Sequence, residues 1–260
     1  MTTLAVKASD LFDNLSPEEQ QPQRRNLELA PSTIRDLVHG FERVEAAKPL
    51  SDEDKRALVR ESLPQTYTQK DIQAFLHILR GYEDKTGVEK RRHTDALGYF
   101  LGGLVDYIDQ QEITLDTRHL SLLPSHLALH TPKKLTILGD VEDFLGHMMS
   151  DGEIMVHGKA GTCAGNYMKG GKVTVKKDCD YNFGQNMKGG ELIAEANVGD
   201  NAAIGMSGGR LEILGDAIGL GCSVTGGEIY LHGKYDLGLN IPGGNIFHKG
   251  TQVVKDGKLV

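Results

Sequence analysis

A glycine pair, Asp-Gly at its first occurrence, returns through the second half of the chain with its second member at Gly152, Gly171, Gly190, Gly209, Gly227 and Gly244. The intervals are 19, 19, 19, 18 and 17 residues. Each pair is followed at fixed distance by an apolar column: Ile154, Val173, Leu192, Leu211, Ile229 and Ile246, with Leu135 one step earlier. Two positions on runs a second column, Ile137, Val156, Val175, Ala194, Ile213 and Leu231, which His248 breaks. Alternation of this kind marks a strand with one buried face. Three residues before each second glycine stands Met149, Met168, Met187, Met206, Val224 or Ile241. Six before it stands Gly146, Gly165, Gly184, Ala203, Gly221 or Gly238.

Four columns in phase require a solenoid, in which each turn pairs with its neighbours and equivalent residues stack. The methionines then form a core ladder and the glycines form corners, where the backbone takes positive φ or passes close to the next turn. About seven turns at roughly 4.8 Å give a rod of about 30 Å. The six-residue period of hexapeptide acyltransferases is absent. A right-handed parallel β-helix with two or three short strands per turn is therefore expected over 132–260.

Within this frame, Gly158-Lys-Ala-Gly161-Thr-Cys-Ala-Gly165 has GxxGxxxG spacing, followed by Gly170-Gly171-Lys-Val-Thr-Val and later by Gly190-Glu-Leu-Ile and Gly227-Glu-Ile-Tyr-Leu. These residues resemble the glycine-rich β-helix module shared by the β-helical component of formylmethanofuran dehydrogenase and the C-terminal domain of the large glutamate synthase polypeptide. The resemblance spans about 132–257. It implies a part that supports or bridges catalytic units handling one-carbon groups or glutamate-linked amide nitrogen, with redox cofactors on those partners and none in this chain.

Glycine is sparse before residue 98, and this half reads as helices. Residues 1–25 form a polar arm. Over 26–111, Ser32 is placed to cap a helix carrying Ile34, Leu37, Val38 and Phe41. Ser51-Asp-Glu-Asp54 and Thr68 with Asp71 resemble capping boxes for the next two. A fourth helix runs to about Asp109 with Leu97, Leu101, Leu104, Val105 and Ile108 on one stripe. Residues 112–131, broken by Pro124, read as an extended connector. The fold class is α+β, a helical domain followed by the β-helix.

Composition removes several functions. A net charge of −7 disfavours nucleic acid. No run approaches the roughly 18 apolar residues of a membrane helix, and the first residues lack a secretion pattern. Three cysteines fit a reducing compartment, so a cytoplasmic location is expected. The glycine turns lead into strands, whereas a phosphate cradle of the strand–glycine–helix type needs a helix there. No CxxC or HxxxH spacing offers a metal site; His157 and His232 share a column but lie four turns, about 19 Å, apart.

The remaining catalytic candidates are His119, His126 and His130 in the connector. If extended, that segment puts His126 and His130 on one face with Ala128 between them. Lys169 and Lys188 stack at one corner, with Ser207 next, and offer contact to an anion or acidic partner. The outward column Thr136, Met155, Thr174, Ile193, Glu212, Tyr230, Phe247 is rich in large apolar groups. Its Met155, Ile193, Tyr230 and Phe247 define a surface to be covered either by the helices or by a partner protein. The expected function is a non-catalytic scaffold subunit docked to catalytic subunits or to copies of itself. The alternative is a stand-alone enzyme or ligand-binding protein with its site between helices and β-helix.

Overall fold

The structure, a computed structural model, describes residues 27, 30–47, 51–79, 87–237 and 241–260. The arm expected over 1–25 and Gly238 lie outside them. Among the described residues four helices precede the sheet: α1 (Ser32–Glu45), α2 (Asp52–Ser62), α3 (Gln69–Ile78) and α4 (Gly87–Tyr107). Ser32 does not cap α1: Pro31 occupies the N-cap and no side chain accepts there. Proline suits this boundary because its fixed φ leads into the helix. Ser51 Oγ accepts from Asp54 N at 3.2 Å, and Thr68 with Asp71 forms a full capping box. The helices meet around Phe41, Phe75 and Phe100, whose ring centroids lie 5.6–5.8 Å apart in edge and tilted contacts.

Ten strands then form one sheet in sequence order: β1 (Glu112–Asp116), β2 (Lys134–Leu138), β3 (Glu153–Val156), β4 (Lys172–Val175), β5 (Glu191–Ala194), β6 (Ser207–Ile213), β7 (Gly226–Leu231), β8 (Asn245–His248), β9 (Thr251–Lys255) and β10 (Lys258–Leu259). Strands β1 to β8 are parallel, with seven turns between them, and β9 and β10 return antiparallel. The solenoid thus begins twenty residues before the expected boundary, because Ile113 and Leu115 pair with Leu135 and Ile137. They prolong both apolar columns, but a step of 22 residues rather than 19 breaks the phase that exposed the others. The change from 19 to 18 further on is absorbed by a bulge between Ser207 and Arg210.

Each turn holds one strand of regular length, while the other sides meet through single bridges such as Ala160 to Cys179. The expectation of two or three strands per turn is corrected by the corners. Phe144, Cys163, Asn182 and Asn201 have φ near +60°, and the glycines Gly146, Gly165 and Gly184 follow two residues later with φ of 69–74°. Two left-handed residues this close prevent an extended run. Gly221 is outside the left-handed region; a Cβ there would come within 2.4 Å of Ile204, so close passage explains it. Met149, Met168, Met187 and Met206 are fully buried in the ladder.

One outer column alternates in charge: Glu112, Lys134, Glu153, Lys172, Glu191, Arg210, Glu228. Ion pairs join Lys134 to Glu112 at 3.4 Å and Lys172 to Glu191 at 2.9 Å. Exposed pairs contribute little stability each, about 0–1 kcal/mol. Their effect is on register, since a slip by one turn sets like charges opposite one another.

The helical domain closes the N-terminal end of the solenoid. Gln69 Oε1 accepts from Thr114 N at 3.1 Å, and Gln73 accepts from Asp116 N at 2.9 Å while donating to Asp116 O at 3.0 Å. Two amide side chains one helical turn apart thereby stand in for the missing strand beside β1. Helix α4 presses on 125–128, where Gly98 and Gly102 leave room: added Cβ atoms would meet the carbonyls of Ser125 and Ala128 at 1.5 and 2.7 Å. Buried Lys133 donates to Ile108 O beyond the end of α4, where the helix dipole favours a cation.

Candidate functional site

Where the cap meets the first turns of the solenoid there is a cleft of about 890 Å³. Helix α2 lines it with Asp52, Arg56 and Arg60, which one-turn spacing puts on one face. Helix α4 contributes Tyr99 and Asp106, and the solenoid contributes His147, Ser150 and Lys169. The segment between β1 and β2 adds His126, Ala128 and His130, alternate residues on one wall.

Two hydrogen-bonded groups occupy these walls. In the first, the Tyr99 hydroxyl donates to Asp52, whose other oxygen lies 3.1 Å from His147 Nε2. His147 Nδ1 lies 3.0 Å from Asn166 Oδ1, and Asn166 Nδ2 donates to Gln185 Oε1 at 2.7 Å. Burial, then Asp52, raises the Tyr99 phenol, so it stays a donor. Burial also raises Asp52, but hydrogen bonds from Tyr99 and His147 and the charges of His147 and Lys55 outweigh it and hold the carboxyl below its usual range. Burial lowers His147 against the opposing pull of Asp52. Acceptors on both ring nitrogens suit the protonated ring, whereas burial favours the neutral one. A neutral His147 keeps its proton toward Asp52 and pairs with the Asn166 amide turned over, which requires the Gln185 amide to turn over with it.

In the second group, Arg56 Nη1 lies 3.1 Å from His130 Nε2, and His130 Nδ1 lies 3.2 Å from Ser150 Oγ. A guanidinium only donates, so Nε2 accepts, the ring is neutral, and its proton sits on Nδ1 facing Ser150. Burial and the charge of Arg56 both lower this histidine, while Asp106 opposes. Asp106 accepts from His130 N at 3.1 Å and from Thr131 Oγ1 at 2.7 Å, which fixes the wall in place.

The other sequence-derived residues fall as follows. His126 has φ 58°, which bends a segment expected to be extended, and its ring stacks between Tyr99 and Phe144 with Nδ1 3.1 Å from Asp95. His119 is away from the cleft, stacked on His77 at 4.2 Å. Lys169 and Lys188 part company: Lys169 lines the cleft, and Lys188 leans over Tyr167. Met155, Ile193, Tyr230 and Phe247 are half-exposed, with Tyr230 and Phe247 stacked at 4.8 Å and Arg210 lying 3.9 Å over Tyr230. No three His, Cys, Asp or Glu side chains gather as a metal site among the described residues. None of the helices there is long and apolar enough to cross a membrane.

Asp52, Arg56, Tyr99, Asp106 and His147 escaped the sequence reading. The four from helices sit on elements whose packing partner the sequence does not name. His147 did leave a signal: the column after each corner residue reads His147, Asn166, Gln185 and then Ile204, polar in the turns nearest the cap.

Fold and site together define a parallel β-solenoid closed at one end by a helical cap, with a cleft at the seam lined by both charged and apolar groups. Compared with protein-family models, curated proteins and solved structures, the chain matches none.

Proposed function

We propose that this chain is a non-catalytic scaffold or bridging subunit of a multi-subunit enzyme, of the kind its glycine-rich turns resemble. The observation that carries this reading is the placement of the helices. They reach the sheet at β1 and leave the outer faces of Met155, Ile193, Tyr230 and Phe247 half-exposed. The cap at one end and the β9–β10 hairpin at the other occupy the strand edges through which solenoids join end to end. The lateral sheet face is what remains for a partner. Its middle column carries Met155, Ile193, Tyr230 and Phe247 among Thr136, Thr174 and Glu212, and beside it runs the alternating charge column, so apolar anchors stand next to polar groups as at a protein interface. In this reading the redox cofactors and reacting groups belong to the partner, and the location is the cytoplasm.

The test is purification of the tagged chain from its own cells, with native mass and partner identity read by mass spectrometry. Stoichiometric recovery with redox, formyl-transferring or amide-transferring subunits, lost in an Ile193→Asp, Phe247→Asp double variant that still melts like the parent, supports the proposal. Recovery as a lone monomer or as a homo-oligomer overturns it.

A further inference from the structure

The cleft at the seam has chemistry that a scaffold does not require. Arg56, Arg60 and Lys169 all line it, and none has a carboxylate partner among the described residues. Arg56 spends one donor on His130, Arg60 lies against the Tyr107 ring at 5.6 Å, and Lys169 is exposed at the rim. Three acids share the walls. Asp52 is engaged by Tyr99 and His147, and Asp106 by His130 N and Thr131 Oγ1, which leaves Glu61 as the acid whose carboxylate has no hydrogen bond among the described residues. His130 stands between Arg56 and Lys169, and both charges disfavour a proton on its ring. Three cations thus line the cleft beside a neutral imidazole with donors not spent on a carboxylate, and an entering anion would find them free to donate.

We propose that the cleft binds a small organic phosphate monoester, its phosphoryl group held by Arg56, Lys169 and Ser150 and its uncharged body lying over Ala57, Gly102 and Ala128. The number of walls selects phosphate over carboxylate. Arg56 comes from α2, while Ser150 and Lys169 are equivalent positions of consecutive solenoid turns. A tetrahedral group presents oxygens toward both sides at once, whereas a carboxylate presents two in one plane. Ala57 and Ala128 present small side chains to the cleft, and its volume of about 890 Å³ leaves room for the body. The inference does not depend on the scaffold reading, because the site lies at the seam and not on the open sheet face.

The experiment is calorimetric titration of the full chain, at low ionic strength, with phenyl phosphate and inorganic phosphate as probes and benzoate and succinate as comparators. Phenyl phosphate should saturate at one site, more tightly than inorganic phosphate and the two carboxylates. Lys169→Met and Arg56→Met should each weaken it about tenfold, the loss expected of one charge-assisted contact. Lys188→Met, one turn further along the same column and over Tyr167, should leave it unchanged. Since Arg56 also holds His130, Lys169→Met keeps the test standing if Arg56→Met folds poorly. Absence of saturable heat at millimolar phenyl phosphate, equal losses in Lys169→Met and Lys188→Met, or equal affinity for benzoate or succinate each overturns the proposal.

Discussion

Replacing Gln73 by Met isolates how the solenoid's first edge is closed. Methionine keeps the length and helix preference of glutamine while deleting both the acceptor for Asp116 N and the donor to Asp116 O. Each such bond contributes about 1 kcal/mol net, and Gln73 is half-buried, so water replaces the partners only in part. The expected loss is about 2 kcal/mol, which for a chain of this size lowers Tm by about 4–8 °C. Gln69→Met deletes one bond, to Thr114 N, and should cost about half as much. The assay is urea unfolding followed by circular dichroism, with light scattering on the folded variants. Because β1 then offers unpaired N–H and C=O groups, concentration-dependent self-association should accompany the loss in Gln73→Met. If Gln73→Met unfolds at the parent's urea midpoint and stays monodisperse, the amide pair is not what closes the edge.

Met187→Asp should abolish the cooperative transition, because it sets a carboxylate in a fully buried ladder between Met168 and Met206; Met187→Leu should cost less than about 1.5 kcal/mol, and equal melting of the Asp variant would place that column on the outside. Burial depresses His147, so the folded chain binds fewer protons than the unfolded one just below the ordinary histidine value of about 6.5, and stability must fall as pH drops through that window. Urea midpoints measured down to mildly acidic pH should show this fall, and His147→Gln should flatten it; an unchanged slope in the variant assigns the effect elsewhere. His232→Ala removes a half-exposed pair with Glu212 at 2.9 Å and should move stability by less than about 1 kcal/mol, as chemical denaturation can check.

The solenoid was legible because a stacked turn imposes the same demand on every equivalent residue, so Ile154, Met168 and Gly184 each repeat a message carried by their neighbours. Legibility failed where the repeat did. Ile113 and Leu115 belong to the first strand, but the longer step after them hid the phase. The cleft was legible only in part, through His126, His130 and Lys169. Its remaining groups are brought together by a helix-to-solenoid contact that no periodicity records. Gly98 and Gly102, which set that contact, look in the sequence like ordinary breaks in a helical pattern. Asp52 reads as a residue of a helix's first turn, which it also is, and nothing local tells that its carboxylate reaches 95 residues forward to His147.

The two ends of the solenoid are secured unequally, and this gives its unfolding a direction. Each coil touches only the coils beside it, so loss of structure has to start at a terminus and propagate. The N-terminal coil is held by a helical core and by side-chain amides, whereas the last coil has only the short β9–β10 hairpin, whose Val254 pairs with Ile246. Amide exchange should therefore be fastest around β8 and slow toward β2. The seam cleft then rests on the most persistent coils, and its walls outlast the opening of the far end.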